Sequence, residues 1–232
     1  MNDIHIEYNF SWEKGQAIFK LNLDAQTLAL KINPLFGLPS WTKLDYHQCP
    51  NCPLTVEQAP HCPAAIGLLP VINNFSDVDS EDEMELEVTL SERRIIQKAP
   101  AQRAIRSIMG VLFATSGCPH AKFFRPMICY HLPLSDDNET IMRASSMYML
   151  AQHFKYKNGG EPDMQLDGLK DIYEKIQIVN VSMTERLQSV DASDSSINAM
   201  ILLDMFTEVI PSAIQSSLEE LRYLFDPHGT SL

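Results

Sequence analysis

The stretch MELEVTLSERRIIQKAPAQRAIRSIMGVLF (84–113) decides the fold, because the spacing of its apolar residues changes within it. Every second residue of Met84–Leu90 is apolar, which is typical of a β-strand with one buried face. Residues 93–98 are predicted to return beside this strand as a hairpin partner. From Ala99 onward the apolar residues recur at helical spacing, which predicts a helix that ends before Gly117.

Upstream of this stretch, the sequence predicts mainly antiparallel sheet. Ile4–Phe10 and Ala17–Leu23 alternate apolar and polar residues on either side of a turn at 13–15, and Thr27–Ile32 follows as a third segment. We interpret these segments as a meander with one buried face. Trp41–His47 is predicted to be a further strand, which ends at the first cysteine.

Downstream, the sequence predicts amphipathic helices. One covers residues 141–154 and another covers residues 166–187. A final pair, 195–210 and 212–225, is predicted to be divided at Pro211, a residue tolerated only in the first turn of a helix.

Strands followed by helices predict an α+β fold, with an N-terminal antiparallel sheet packed against a C-terminal helical bundle. We expect a single α+β domain over residues 1–232. Residues 1–98 would hold mainly strands and cysteine loops, and residues 99–232 would be mainly helical. One domain is favoured over two because cysteines lie on both sides of this boundary.

The composition excludes two classes of partner. Thirty acidic residues against 18 basic ones give a formal net charge of −12, whereas nucleic acid and anionic membranes both need a basic footprint on the protein. We therefore expect no nucleic-acid partner and no membrane partner. The acidic run at 77–92 leaves open two roles, a solvated turn or a docking site for a basic protein.

The location is predicted from the kinds of segment that the sequence offers. The N-terminus has polar and acidic residues where a signal peptide needs a basic start and an apolar stretch. No run approaches the roughly 20 apolar residues that span a bilayer. We expect a cytoplasmic protein, in which thiols stay reduced and clustered cysteines are more often metal ligands than disulfides.

Four of the five cysteines, Cys49, Cys52, Cys62 and Cys118, directly precede a proline. A residue before proline is held in extended backbone, so each of these thiols is predicted to lie in a loop. Cys49 and Cys52 have the two-residue spacing with which one tight turn presents two sulfurs to one ion. Cys62 and Cys118 each precede a predicted helix, whose positive end lowers a thiol pKa and favours the metal-binding thiolate.

These four cysteines are therefore predicted to be metal ligands. Zinc is the first choice, since it tolerates varied ligand spacing and is a common structural ion for thiolates. In that case the protein is non-catalytic, and the ion joins the sheet to the helices. An iron–sulfur cluster is the alternative cofactor, because a local trio of cysteines completed by a remote one is found in some cluster sites. The protein would then be a redox or sensor protein.

Four histidines lie within two residues of a cysteine, namely His47, His61, His120 and His131. Each could replace a sulfur ligand, or hydrogen-bond a sulfur from outside the coordination sphere. The alternative for each one is a loop histidine that is exposed to water.

Other roles stay open for the cysteines. As small buried hydrophobes they would be inert core residues of an acidic adaptor protein. This is the predicted role of Cys129, which lies in an apolar segment without a following proline. Cys118 with His120 or His131 as a base would form a nucleophilic or redox site, and repeated Cys-Pro pairs are also compatible with haem-thiolate contacts.

Sequence signatures of common enzymes are missing, so acyl, phosphoryl and hydride transfer lack sequence support. The chain contains no phosphate-binding glycine loop, no HExxH or Glu-x-x-His pair and no G-x-S-x-G motif. The helical part does place Glu139, His153 and Asp204 at predicted inner positions. Such polar side chains would cap a helix, bond a neighbouring helix or line a ligand pocket.

A set of motifs in fixed order resembles a family of uncharacterised bacterial proteins of similar length. The motifs are HQCPNCPL (47–54), HCP (61–63), TSGCP (115–119), RPM (125–127), HLPLS (131–135), ET (139–140) and YMLAQHF (148–154). The resemblance covers nearly the whole chain and carries no established activity. It implies a bacterial cytoplasmic protein in which the cysteine loops and the helices form one unit.

Overall fold

The computed structural model describes residues 3–31, 37–190 and 192–220. Its sheet has four antiparallel strands, which adjoin in the order β2-β1-β3-β4. The strands are β1 (Ile4–Trp12), β2 (Gly15–Leu23), β3 (Glu83–Leu90) and β4 (Arg93–Pro100). Helices dominate after residue 100, so the predicted α+β class is confirmed.

The helices and the sheet share one hydrophobic cluster of buried residues. Helix α2 lies at its centre, where it packs on β3, β4 and three other α-helices, α1, α3 and α6, and α5 packs along α6. The helices are α1 (Pro63–Asn74), α2 (Ala101–Thr115), α3 (Arg125–Cys129), α4 (Asp137–Lys157), α5 (Asp167–Gln188) and α6 (Asp194–Glu220).

One face of the sheet is buried, as the alternation predicts. Ile6, Tyr8 and Phe10 of β1 are all buried, and their neighbours along the strand are more exposed. The edge strand β4 is exposed along most of its length. The sheet is not the predicted meander, because β1 pairs with β3 as well as with β2.

Two predicted strands do not form. Thr27–Ile32 contributes a single bridge, Leu23 to Leu30, because the Asp24 side chain accepts the backbone N–H of Thr27 at 2.8 Å and turns the chain. Ile32 lies outside the described residues. Trp41–His47 forms a short 3-10 helix (Ser40–Thr42) and turns in place of a strand.

Two prolines lie inside helices that continue beyond them. Pro70 lies inside α1, which continues to Asn74. The predicted pair at 195–210 and 212–225 is one helix, α6, which continues through Pro211 to Glu220. Residues 221–225 lie outside the described part of the chain. In residues 3–31, 37–190 and 192–220, no helix is both long and apolar enough to cross a bilayer.

Candidate metal centre

The cysteines that precede proline lie on three loops. Cys49 and Cys52 share a turn after the 3-10 helix, in which the N–H of Cys52 donates to the carbonyl of Cys49 at 2.9 Å. Cys62 is the residue before α1, with φ −66° and ψ 119°. This extended backbone is what Pro63 at the first helical position requires. Cys118 lies on the loop after α2.

Backbone contacts tie the Cys62 loop to the 3-10 helix. The N–H of Cys62 donates to the carbonyl of Thr42 at 2.7 Å, and Lys43 and His61 form an antiparallel bridge. These contacts fix the start of α1 against the segment that leads to the Cys49 turn. They join residues distant in sequence, which is why alternation alone did not predict the conformation of this segment.

The Cys118 loop reaches both of the other loops. His120 Nε2 lies 2.8 Å from the carbonyl oxygen of Asn51, within the Cys49–Cys52 turn. On its other side, a Cβ placed on Gly117 would lie 3.7 Å from the Cβ of Pro63. Cys118 is therefore held between the two loops that carry the other three thiols.

The thiols influence one another electrostatically. Burial raises the pKa of Cys49 to about 11, a hydrogen bond with Ser182 lowers it, and the neighbouring Cys62, Cys118 and Cys52 raise it further. Such mutual effects require that the groups be close, since the interaction weakens with distance. The structure thus brings the four predicted ligands into one region.

Burial also raises the pKa of the Cys118 thiol, although backbone hydrogen bonds from Ala121 and His120 lower it. The sequence predicted a lowered pKa at a helix start. Here the next element is only a short 3-10 helix that begins at Lys122, so no long helix directs its positive end at this sulfur. Desolvation is the larger effect.

The four thiols are free, and they are neighbours without forming a closed ligand set. Within the described ranges, no three His, Cys, Asp or Glu side chains are arranged so that they could hold a metal ion as they stand. Binding of one ion by all four thiols would require the cysteine side chains to move closer together.

A buried arginine lies beside this region. Arg186 of α5 is 1% exposed and donates to the carbonyl oxygens of Trp41 at 2.5 Å and Lys43 at 2.8 Å. A longer contact of 3.4 Å joins it to the carbonyl of His47. The guanidinium therefore stabilises the chain direction between the 3-10 helix and the Cys49 turn.

The charge of Arg186 has no carboxylate partner among the described ion pairs. Its Nε is buried, with no hydrogen-bond partner in the described structure. Burial lowers the pKa of Arg186, and the nearby thiols of Cys62 and Cys49 raise it. Among the acidic groups that raise the pKa of Arg186, Cys62 and Cys49 therefore have the largest effect.

Sequence reasoning missed Arg186, although a pattern in α5 marks it. Val179, Met183 and Leu187 form the buried stripe of this helix, and Arg186 lies on the same face at helical spacing. An arginine within an apolar stripe is rarely buried unless it is paired.

Two of the predicted histidines lie in these loops. His61 Nδ1 lies 2.7 Å from the hydroxyl oxygen of Thr42, and His120 bonds the carbonyl of Asn51 as described above. Each therefore holds one cysteine loop to another segment. This placement suits a role in orienting the loops.

The other two histidines lie in different surroundings. His47 is exposed and its Nδ1 lies 3.9 Å from Glu185, at the edge of the cysteine region. His131 is buried, and its Nε2 hydrogen-bonds the hydroxyl of Tyr8 on β1. It lies with the helices and the sheet.

Cys129 was predicted to be a core residue, and the structure corrects this. It is exposed, whereas Met127 and Ile128 of the same helix are buried. Helix α3 has only five residues, so a single turn fixes which side chains face the core, and Cys129 falls at its outer end.

The polar residues predicted for a helical pocket are not brought together. Glu139 forms a capping box with Asp136 at the start of α4. His153 is exposed beside Phe154. Asp204 is partly buried on α6, and its carbonyl accepts the hydroxyl of Thr207 at 2.7 Å. A cavity does exist between the helices, and it is lined by other residues.

Comparison with known proteins gives one match. A family model described as a domain of unknown function, DUF6901, matches residues 6–226. The chain belongs to the DUF6901 family. The match spans the sheet, the three cysteine loops and all six helices, at least in part, in agreement with the resemblance drawn from the ordered motifs. Neither a curated protein nor a solved structure matches the chain.

Proposed function

We propose that this protein binds one zinc ion through Cys49, Cys52, Cys62 and Cys118 and that the ion has a structural role. The observation that carries the proposal is the position of Cys118. It follows α2 in the helical part, yet its loop contacts the Cys49–Cys52 turn, where His120 Nε2 lies 2.8 Å from the carbonyl oxygen of Asn51, and it approaches Pro63 beside Cys62. A bound ion would join the loops of the two parts.

The chemistry of the four groups suits zinc. Zinc takes four thiolates in a tetrahedron at about 2.3 Å, from ligands of varied spacing. The raised pKa of Cys49, about 11, means that this thiol is protonated at neutral pH without a metal. Binding must therefore displace protons, as is usual for thiolate sites.

Arg186 supports an anionic site at this place. Four thiolates and one divalent ion carry a net charge of about −2, which is costly to bury alone. The buried guanidinium, whose pKa the nearby thiols of Cys62 and Cys49 raise, would offset part of that charge. Backbone hydrogen bonds from His120 and Ala121 to the Cys118 thiol would stabilise the thiolate in the same way.

The decisive experiment is elemental analysis, with a visible spectrum, of protein purified without oxygen. We expect one zinc per chain and no colour. A brown chromophore would instead identify an iron–sulfur cluster on the same cysteines, the alternative redox function. Protein with neither metal nor colour would overturn the proposal and leave the cysteines as core residues or reactive thiols.

A matched pair of variants assigns the ligands. Cys118→Ser should lose the ion, whereas Cys129→Ser, which changes the exposed cysteine outside the cluster, should keep it. Retention of a full equivalent of zinc by Cys118→Ser would remove this thiol from the proposed ligand set.

A further inference from the structure

A cavity of about 190 Å³ lies between the helices, and none of the five cysteines lines it. Its walls come from α2, α3, α4, α5 and α6, from the loop at 131–135, and from Ala121 and Phe124 in the segment that follows Cys118. Most of the lining is apolar, and it includes Val111, Phe124, Met127, Ile176 and Leu203. Ligand sites are commonly of this kind, with apolar walls and a few polar groups that set orientation.

The charged residues that line the cavity are all basic. Arg106 of α2 and Arg143 of α4 contribute to its wall, and no aspartate or glutamate does so among the described residues. This reverses the balance of the whole chain, whose net charge is −12. A cavity with this lining favours an anion over a cation.

Arg143 is the better placed of the two cations. It donates to the carbonyl oxygens of Met127 at 2.9 Å and Tyr130 at 3.3 Å, which fixes its position. None of the described ion pairs includes it. Burial lowers its pKa, Tyr173 raises it, and Glu139, the carboxylate that also raises it, is already used in the capping box with Asp136.

Neutral polar groups surround this guanidinium. Tyr173 lines the cavity, is buried and interacts electrostatically with Arg143. His131 also lines it and is held by Tyr8. Because burial and Arg143 lower the pKa of His131 to about 3, this imidazole is neutral at pH 7. Arg143 therefore supplies the positive charge, and its neighbours supply hydrogen-bonding groups.

Gly110 helps to leave the cavity open. It lies in the middle of α2, where glycine is less favourable than alanine. Packing does not demand it, because a Cβ placed there would only touch Leu203, at 4.0 Å. The residue keeps the wall of the cavity free of a side chain.

We propose that this cavity binds a small monocarboxylate with an apolar body of six to eight carbons, whose carboxylate pairs with Arg143. The size follows from the volume, since a cavity of about 150 Å³ accepts a benzene ring. The head group follows from the fork of the guanidinium, which matches a carboxylate. A phosphate dianion suits the site less well, because its second charge would be buried among apolar walls.

Titration calorimetry with octanoate on the full chain tests this inference, with octanol and octylamine as probes of the same length. Octanoate should bind with a Kd below about 1 mM, corresponding to a binding free energy stronger than about −4 kcal/mol. Octanol and octylamine should each bind at least tenfold more weakly. Equal affinity for octanol and octanoate would overturn the role of the carboxylate, and absence of binding by octanoate would overturn the site.

Two variants place the ligand. Arg143→Gln should weaken octanoate binding at least tenfold, whereas Arg103→Gln should leave it unchanged. Arg103 is the matched control, because it also donates to a carbonyl of the same region, that of Leu134 at 2.9 Å, and does not line the cavity.

Gly110→Leu keeps the test informative if Arg143→Gln fails to fold. The added side chain should fill the cavity and abolish octanoate binding while the melting temperature stays the same or rises. Unchanged affinity in Gly110→Leu would place the ligand elsewhere and contradict the inference. Since neither result depends on a metal, the test is independent of the zinc proposal.

Discussion

The cysteine loops and the helical cavity each contain a buried or partly buried arginine, and the two arginines have different surroundings. Arg186 lies beside thiols of its own chain, which would become anions on binding the proposed zinc ion. Arg143 lies in a cavity whose described lining contains no acid. Burial lowers the pKa of both guanidiniums, so the physical problem is the same. The proposed solutions differ, because thiolates of the chain would balance the charge of Arg186, whereas the carboxylate of a ligand would balance that of Arg143.

Removal of the proposed zinc ion tests whether metal-bound thiolates of the chain balance the charge of Arg186. It should have the largest effect on the free energy of unfolding. An ion that binds only the folded state, present at a thousand times its Kd, stabilises a protein by about 4 kcal/mol. Adding a strong chelator to the zinc-bound protein should therefore lower the free energy of unfolding by about this amount, as measured by urea denaturation. Cys118→Ser should not respond to the chelator, and an equal response in both proteins would contradict a site that includes Cys118.

Replacing Arg186 tests how much this cation itself stabilises the cysteine loops. Arg186→Met leaves the carbonyls of Trp41 and Lys43 without their donor. Hydrogen bonds to a charged group are each worth about 1.5 to 3 kcal/mol, so we expect a loss of about 3 kcal/mol or more in unfolding free energy.

The control for Arg186→Met is Arg94→Met on the sheet. Arg94 makes an exposed ion pair with Glu87, and such pairs contribute about 0 to 1 kcal/mol. If the two substitutions cost the same, Arg186 has no special role in holding the cysteine loops.

The unfolding free energy should fall at acid pH, and His131, which lines the cavity, should be a main cause. Burial, with a contribution from Arg143, lowers the pKa of His131 from 6.5 to about 3 in the folded protein. The unfolded chain therefore binds the proton more readily, so the stabilisation is complete above pH 6.5 and is lost as the pH falls towards 3. The slope approaches about 1.4 kcal/mol per pH unit, or about 2 kcal/mol between pH 6.5 and 5.

His131→Gln supplies the control for this pH dependence. Glutamine keeps a polar group beside Tyr8 but cannot titrate, so the unfolding free energy of the variant should vary less between pH 6.5 and 5. Carboxylates with lowered pKa values, such as Asp163, lose their contribution at lower pH. Identical pH profiles for the two proteins would rule out a neutral, buried His131.

Gly110→Ala should have the smallest effect, and of opposite sign. Alanine is favoured over glycine in a helix by about 0.8 to 1 kcal/mol, and the structure has room for its Cβ. We expect this gain in unfolding free energy together with weaker octanoate binding. A destabilised variant would mean that Gly110 is required by packing, and the open cavity wall would need another explanation.

Local patterns predicted the regular elements well. Alternation located β1, β2 and β3 because each presents one face to the core, and helical spacing located α2 and α5. Pro63 correctly marked the start of α1.

Features that depend on distant contacts were not predicted. Residues 41–47 alternate like a strand, yet their carbonyls bond Arg186 more than 100 residues away and their conformation follows that contact. The cavity also depends on a contact between separate elements, since Arg143 of α4 bonds the carbonyl of Met127 in α3. For the candidate metal centre, the sequence supplied the four cysteines and the fold supplied Arg186.

The most direct test of the central claim is X-ray absorption at the zinc edge of the purified protein. We predict that four sulfur atoms surround the zinc ion at about 2.3 Å. We further predict that Cys118→Ser lacks this sulfur shell and that Cys129→Ser retains it. A shell made mainly of nitrogen or oxygen, or four sulfurs that persist without Cys118, would contradict a zinc site built from the three cysteine loops.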